Sequence, residues 1–114
     1  MMLEARIAAA LPGLVRRVLR RMMLAGRGSI EEVTAAFSVH RRTLDRHLDA
    51  HGVTFRRLAE EVRFAVAQQL LRDTDLPISE IAAALHYANP SAFATAFRRW
   101  SGMTASQWRA KEAA

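Results

Sequence analysis

The sequence predicts an all-α fold in which two helix-turn-helix subdomains, a homeodomain-like pair, are joined by a long central linker helix. Three observations support this prediction. Residues 54–73 contain no proline or glycine and place apolar side chains at three- and four-residue steps. The segments on either side, residues 30–48 and 78–97, resemble each other. No sustained alternation of polar residues with β-branched or aromatic residues is present, so strands have little support.

The central run is rich in Ala, Leu, Glu, Gln and Arg, and Thr54 is a suitable N-cap for it. Its apolar residues form a main stripe and a second set that lies well off that stripe. The main stripe is Phe55, Leu58, Ala59, Val62, Val66 and Leu70, and the second set is Phe64, Ala67 and Leu71. A helix that is apolar on more than one side has more than one neighbour to pack against. The flanking segments are the expected neighbours.

The flanking segments align as two copies of one motif. Ile30, Val33, Phe37 and Val39 correspond at one constant offset to Ile78, Ile81, Leu85 and Tyr87. Leu44 and Leu48 correspond to Phe93 and Phe97 at an offset one residue larger, so the second turn has one extra residue. Ser29 followed by Glu32 forms a capping box that starts the first copy. Each copy therefore predicts a short helix, a tight turn and a second helix.

These signals divide the chain into four segments. They are an N-terminal extension or linker remnant (1–13), the first helix-turn-helix subdomain (14–53), the linker helix (54–73) and the second subdomain with a C-terminal helix (74–114). In the extension, a short helix from Met2 is expected to end at Pro12-Gly13. An arginine-rich amphipathic helix is expected from Leu14 to Leu24, closed by Gly26 and Gly28.

Composition restricts the functional classes. The 114 residues carry a net charge of +6, which favours a polyanion such as nucleic acid as partner, or else is only a generic basic surface. The absence of cysteine excludes disulfides, cysteine-type zinc sites and thiol catalysis. The only N-terminal apolar patch is too short for a membrane span and makes a poor signal peptide, so a cytoplasmic protein is expected.

Histidine spacing offers the sharpest chemical alternative. His40, His47 and His51 fall on one helical stripe, as zinc ligands would. No cysteine or carboxylate completes such a site along the stripe, so no metal, no cofactor and no enzymatic activity are expected. A rival of a different class is a helical protein-interaction module that has kept the fold and lost specific DNA binding.

The second helix of the first copy, about residues 40–50, has one face suited to a DNA major groove. At roughly 100° per residue, Leu44 and Leu48 point inward. Arginine can donate two hydrogen bonds to guanine, and aspartate can accept one from cytosine N4. The alternative is that the outward charged residues Arg42, Asp45, Arg46 and Asp49 form ordinary surface pairs with one another. The outward residues are Arg42, Arg46, Asp49 and, at the edge, Asp45, with Arg41 and His47 on the flanks.

The second helix of the second copy, about residues 90–100, is poorer in base-reading groups. Phe93, Phe97 and Trp100 are expected to point inward, and Trp108 is expected to cover this core from the C-terminal helix. Serine and threonine can contact phosphates or base edges, alanine can contact a thymine methyl, and arginine suits phosphates. The outward residues are Ser91, Thr95, Arg98 and, at the edge, Ala94, and Arg99 also suits phosphates.

The chain resembles the DNA-binding domain of the AraC family of bacterial transcription regulators from about Leu14 to Arg109. The resemblance is carried by RRTLDRHL, VRFAVAQQLLRDTDLPISEIAAAL, NPSAFATAFRRW and SGMTASQWR, in the family's order and spacing. It implies binding to asymmetric double-stranded DNA sites and activation through contact with RNA polymerase. Family base-contacting positions correspond to Arg42, Asp45, Arg46, Pro90, Ser91, Ala94 and Thr95. The candidates for backbone contacts are Arg41, Thr43, His47, Arg98 and Arg99.

A straight linker helix of this length measures on the order of 28 Å, near one DNA turn of roughly 34 Å. We therefore expect it to hold two recognition helices for successive major grooves. The ligand-sensing or dimerising domain that family members commonly carry is not in this sequence, so the chain is expected to be either a fragment or a stand-alone activator. Ser38 and His86 stand where the family usually has glycine, which costs roughly 1 kcal/mol where φ is positive. Thr95 replaces a common arginine.

Overall fold

The computed structural model describes residues 2–38 and 40–113, and within these ranges the chain forms only helices and their connections. The all-α prediction is confirmed for this part of the chain. The described residues leave out Val39 and the side chains of Ile30 and of residues 2–9. Ile30 and Val39 are positions of the predicted repeat. The helices are α1 (Met2–Leu24), α2 (Ile30–Ala36), α3 (Arg41–Asp49), α4 (Phe55–Asp73), α5 (Ile78–Ala84), α6 (Pro90–Ser101) and α7 (Ala105–Ala113).

The first helix, α1, continues through Pro12 and Gly13, so the expected break at that dipeptide is wrong. Proline removes one helical hydrogen bond and crowds the preceding turn, at a cost of about 3 kcal/mol. That cost falls on one turn, whereas the turns on both sides are built from Leu, Ala and Arg, which favour helix. The expected end is confirmed, because the helix stops at Leu24 and Gly26 follows with a φ of 75°.

The chain divides into two compact units, Met1–Val62 and Arg63–Ala114, each with its own helix-turn-helix pair. The division falls inside α4, so residues 55–62 belong to the first unit and residues 63–73 to the second. Most of the two apolar sets predicted for this helix are buried, whereas Phe64 and Leu70 keep partial exposure. The prediction that α4 is apolar on more than one side is thereby confirmed.

The first unit has a mainly aliphatic core. α1, α2 and α3 contact one another, and Arg16 on α1 forms an ion pair with Glu61 on α4 at 3.2 Å. Gly28 is buried against Met23, where an added Cβ would come within 2.5 Å of Met23 Cγ. This contact explains why glycine stands there. The fully buried side chains of the unit are Val15, Leu19, Met23, Val33, Leu48 and Leu58.

The second unit has an aromatic core centred on Phe93 and Phe97, both 0% exposed. The ring centroid of Phe97 lies 5.6 Å from that of Phe64 and 6.1 Å from that of Trp108. Trp108 is 9% exposed, which confirms its predicted role as a core lid. Trp100, also expected inside, is half-buried with its ring 5.4 Å from that of Phe64.

Hydrogen bonds from the last helix reach back to the end of α4 in the same unit. Arg109 Nε donates to the carbonyl oxygen of Leu71 at 3.1 Å, and its Nη2 donates to that of Thr74 at 3.4 Å. The last carbonyls of a helix have no partner within the helix, so an arginine from elsewhere can satisfy them. Arg109 thereby joins α7 to α4 inside the second unit.

Candidate nucleic-acid interface

In each unit the turn before the recognition helix contains a non-glycine residue with positive φ. Ser38 has φ of 52° and His86 has φ of 64°. In the left-handed region a Cβ approaches the backbone, and for this reason glycine is the usual residue there. Both turns therefore adopt the left-handed conformation for which the family usually has glycine, and the Cβ of Ser38 and of His86 makes that conformation strained.

The recognition helix of the first unit, α3, buries one side and exposes the other. Leu44 and Leu48 are 2% and 0% exposed. Arg42, Arg46 and Asp49 are exposed, as the helical layout predicts. Arg42 and Arg46 lie one helical turn apart on the same side. Among the side chains that the structure describes, neither arginine has an ion-pair partner, so both guanidinium groups are available to donate hydrogen bonds.

Asp45 is paired along the helix with Arg41. Arg41 Nε lies 3.6 Å from Asp45 Oδ2, and the two side chains are 66% and 44% exposed. Such an exposed pair contributes little stability, but it directs the carboxylate toward the N-terminal end of α3. Asp45 thus forms a surface pair with Arg41, which lies outside the set Arg42, Asp45, Arg46 and Asp49 considered in the sequence-based alternative, while Arg42 and Arg46 remain available. Sequence inspection did not single out this pair, although its four-residue spacing is the signal for one.

The residues expected to contact the DNA backbone differ in exposure. Thr43 is half-buried, while His47 is exposed and lies in the last turn of α3. The His47 carbonyl oxygen is 3.0 Å from Nδ1 of His51. Arg98 and Arg99 are exposed in the last turn of α6. These positions are compatible with phosphate contacts, which remain a prediction.

The recognition helix of the second unit, α6, starts at a cap that sequence inspection missed. The side-chain oxygen of Asn89 accepts a hydrogen bond from the Ala92 N–H at 2.8 Å, and Pro90 takes the first helical position. An asparagine directly before a proline is a recognisable start signal. Phe93 and Phe97 are buried as predicted, and the exposed residues in the first half of the helix are Pro90, Ser91, Ala94 and Thr95.

The hydroxyl group of Thr95 is engaged with its own helix. Thr95 Oγ1 donates to the carbonyl oxygen of Ser91 at 3.0 Å. A hydroxyl has one proton to donate and two lone pairs to accept with. Thr95 therefore presents an acceptor and a methyl group to its surroundings rather than a donor.

Over the described ranges, no cluster of three or more histidine, aspartate or glutamate side chains is arranged to hold a metal ion. No helix in that part of the chain combines the length and the hydropathy needed to cross a bilayer.

Residues 33–111 match a protein-family model described as a helix-turn-helix domain, which covers the first helix-turn-helix pair from Val33 onward and the whole of the second. The chain belongs to the AraC-type helix-turn-helix family. The family resemblance found in the sequence is confirmed by this match. The roles of individual residues are not tested by it and remain predictions.

This AraC-type domain is similar to part of longer bacterial regulators. The ornithine utilization regulator of Pseudomonas aeruginosa is 40% identical over 100 residues, a match that covers 85% of this chain and 29% of that regulator. The chain spans less than a third of the length of this regulator, and likewise of the Mycobacterium tuberculosis regulator VirS.

Solved structures share the fold. The transcriptional regulator CdpR from Pseudomonas aeruginosa is 43% identical with a TM-score of 0.62, over 72% of this chain and 26% of that one. The DNA-binding domain of AdpA, crystallised with a target DNA, is 25% identical with a TM-score of 0.63, over 91% of this chain and 90% of that one. A domain of similar fold and nearly the same extent has thus been crystallised with DNA.

Proposed function

We propose that this AraC-type domain binds double-stranded DNA in a sequence-specific manner and regulates transcription through that binding. The observation that carries the proposal is the outer face of α3, where Arg42 and Arg46 are exposed and without ion-pair partners among the described residues. The net charge of +6 supplies the attraction for a polyanion. A protein-interaction surface does not require two unpaired arginines one turn apart on a recognition helix.

Each recognition helix contacts its own stretch of major groove in this proposal. On α3, Arg42 and Arg46 donate to guanine O6 and N7. Asp45 accepts from cytosine N4 or, through its bond with Arg41, holds that arginine toward a phosphate. On α6, Arg98 and Arg99 contact phosphates, and the smaller residues of its first half meet base edges. The first unit then carries most of the sequence discrimination.

Transcription regulation follows from what the similar proteins are. Relatives at 40% identity are named regulators, and the resemblance extends the proposal to activation through contact with RNA polymerase. Such an activator works in the bacterial cytoplasm and takes its signal from a ligand-sensing or dimerisation domain on the same or a separate chain. Catalysis has no part in this proposal.

The first test is selection of bound duplexes from a random-sequence library with the 114-residue chain. We expect an asymmetric site with strong base preferences at several positions. Enrichment of no sequence, together with weak binding that every duplex shares, would contradict the proposal. That result would favour the protein-interaction module instead.

The second test replaces each unpaired arginine of α3. Arg42→Ala and Arg46→Ala are each expected to weaken binding to the selected site by about 1–3 kcal/mol and to relax the preference at one position. Arg56→Ala is the matched control, because Arg56 is an exposed arginine on α4 that is paired with Glu60 at 3.8 Å. The control removes the same charge and should leave every base preference intact. Unchanged preferences in both α3 variants would refute the assignment.

A further inference from the structure

We infer that α6 recognises thymine methyl groups, and that Thr95 selects A·T over G·C base pairs at the position it faces. The inference rests on the proposed DNA binding and adds to it the base chemistry of the second unit. It is carried by the composition of one exposed face and by one hydrogen bond.

The first half of the exposed face of α6 consists of small and apolar groups. Pro90, Ser91, Ala94 and Thr95 are all exposed there. None of them has a guanidinium, amide or carboxylate group, so none can form the bidentate bonds that identify guanine or adenine. The cationic residues Arg98 and Arg99 lie in the last turn. Since the N-terminal residues of a recognition helix meet the base edges, this unit presents methyl groups and hydroxyls to the bases.

The hydrogen bond of Thr95 limits what its side chain can recognise. Its proton is donated to the Ser91 carbonyl oxygen at 3.0 Å, and while that bond is kept Oγ1 acts toward a base as an acceptor. With Oγ1 bonded to its own helix, the γ-methyl is the other group on Cβ of this exposed residue. Thr95 thus offers an acceptor and a methyl group at one position.

Among the base pairs, A·T matches both groups. In the major groove adenine presents the N6 amino donor and thymine presents its C5-methyl. A G·C pair offers the cytosine N4 donor to Thr95 Oγ1 but has no methyl group for the Thr95 γ-methyl to contact, so only one of the two contacts forms there. The Ala94 methyl and the Pro90 ring extend the apolar surface for neighbouring thymines. The Ser91 hydroxyl can donate as well as accept, so it does not discriminate between the base pairs.

The experiment uses the duplex selected by the 114-residue chain and replaces its thymines by deoxyuridine one at a time, which removes only the C5-methyl. Removing one buried methyl is expected to weaken binding about fourfold at each contacted thymine. One of these losses should disappear in Thr95→Ser, which keeps the hydroxyl and lacks the γ-methyl. When a G·C pair is placed at that position, methylation of its cytosine at C5 should strengthen binding of the wild-type chain to the duplex, again about fourfold.

Thr104→Ser is the matched control. Thr104 caps α7 by accepting from the Gln107 N–H at 3.1 Å, and serine caps equally well. This variant should retain every uracil penalty.

The inference is overturned if uracil is tolerated at every position, or if Thr95→Ser leaves all the penalties as they were. Site selection that depends on Arg42, combined with indifference to uracil, would refute this inference alone. Failure to select any site would refute the proposed function as well.

Discussion

Ser38 and His86 adopt backbone conformations that glycine adopts at less cost, with φ of 52° and 64°. Each precedes a recognition helix, so each turn determines how that helix leaves the one before it. A non-glycine residue in the left-handed region costs on the order of 1–2 kcal/mol. The chain tolerates this strain because each unit has its own buried core that holds the turn.

We expect Ser38→Gly to raise the free energy of unfolding by about 1 kcal/mol, because relief of the Cβ strain exceeds the extra chain entropy of glycine in the unfolded state. Urea unfolding followed by circular dichroism measures this change. Ser38→Ala is the control, since alanine keeps the Cβ and should give no such gain. A glycine variant less stable than the alanine variant would contradict the strain.

Among the helices, α2 depends most clearly on its first turn. It has only seven residues, too few to be stable without capping and packing. Ser29 Oγ accepts the Glu32 N–H at 3.2 Å and donates to Glu32 Oε1 at 2.9 Å, and Arg27 Nε lies 3.2 Å from Glu32 Oε2. The hydrogen bond from Ser29 is the main cause that lowers the pKa of Glu32 below its ordinary value; burial opposes it and Arg27 assists. The capping box predicted from the sequence is confirmed.

The stability that Glu32 contributes is expected to depend on pH. Because its folded-state pKa is lowered, the contribution is complete above the ordinary carboxyl pKa and is lost as the pH falls through the folded-state pKa. Urea unfolding of the wild type and of Glu32→Gln should show a difference at pH 7 that disappears in acid. Glu80→Gln is the control, since Glu80 lies in the first turn of α5, where the N-cap Pro77 forms no side-chain cap bond. A difference that stayed constant down to strong acid would contradict the expectation.

At the level of the whole molecule, the proposed function assigns affinity mainly to charge and specificity to the two recognition helices. Lys and Arg number 17 against 11 Asp and Glu. Several of these arginines are already paired with carboxylates, including Arg16, Arg57 and Arg72. The cations available to phosphates are therefore fewer than composition suggests.

Binding to the selected duplex is expected to weaken linearly on a plot of log affinity against log salt, with a slope of several units. Fluorescence anisotropy over a range of salt concentrations measures this slope. Arg98→Ala should reduce its magnitude by about one unit without changing base preference, because Arg98 is assigned to a phosphate. A slope near zero, or a change in base preference in this variant, would contradict the assignment.

The repeat in the sequence predicted most of the fold because burial follows helical spacing. Leu44 and Leu48 in the first unit, and Phe93 and Phe97 in the second, occupy the core positions that the alignment indicated. The exposed faces of α3 and α6 followed from the same layout. What each exposed residue contacts stays a prediction, because the spacing of residues shows where a side chain points and not which base it meets.

Three features could not be predicted from local patterns alone. Helix α1 continues past Pro12 because good helix formers on both sides outweigh one lost hydrogen bond. The rule that proline ends a helix does not take the neighbouring residues into account. Asp45 pairs with Arg41, one of several acceptable partners at helical spacing. The acceptor-only hydroxyl of Thr95 depends on a side-chain rotamer, which the sequence does not reveal.

The contacts of Arg109 with Leu71 and Thr74 have a practical consequence for shortened or tagged versions of the chain. A deletion that removes Trp108 and Arg109 takes away the side chain that covers the aromatic core and the two hydrogen bonds that join α7 to the end of α4. A purification tag attached after Ala114 leaves Trp108 and Arg109 in the chain and is expected to preserve these hydrogen bonds.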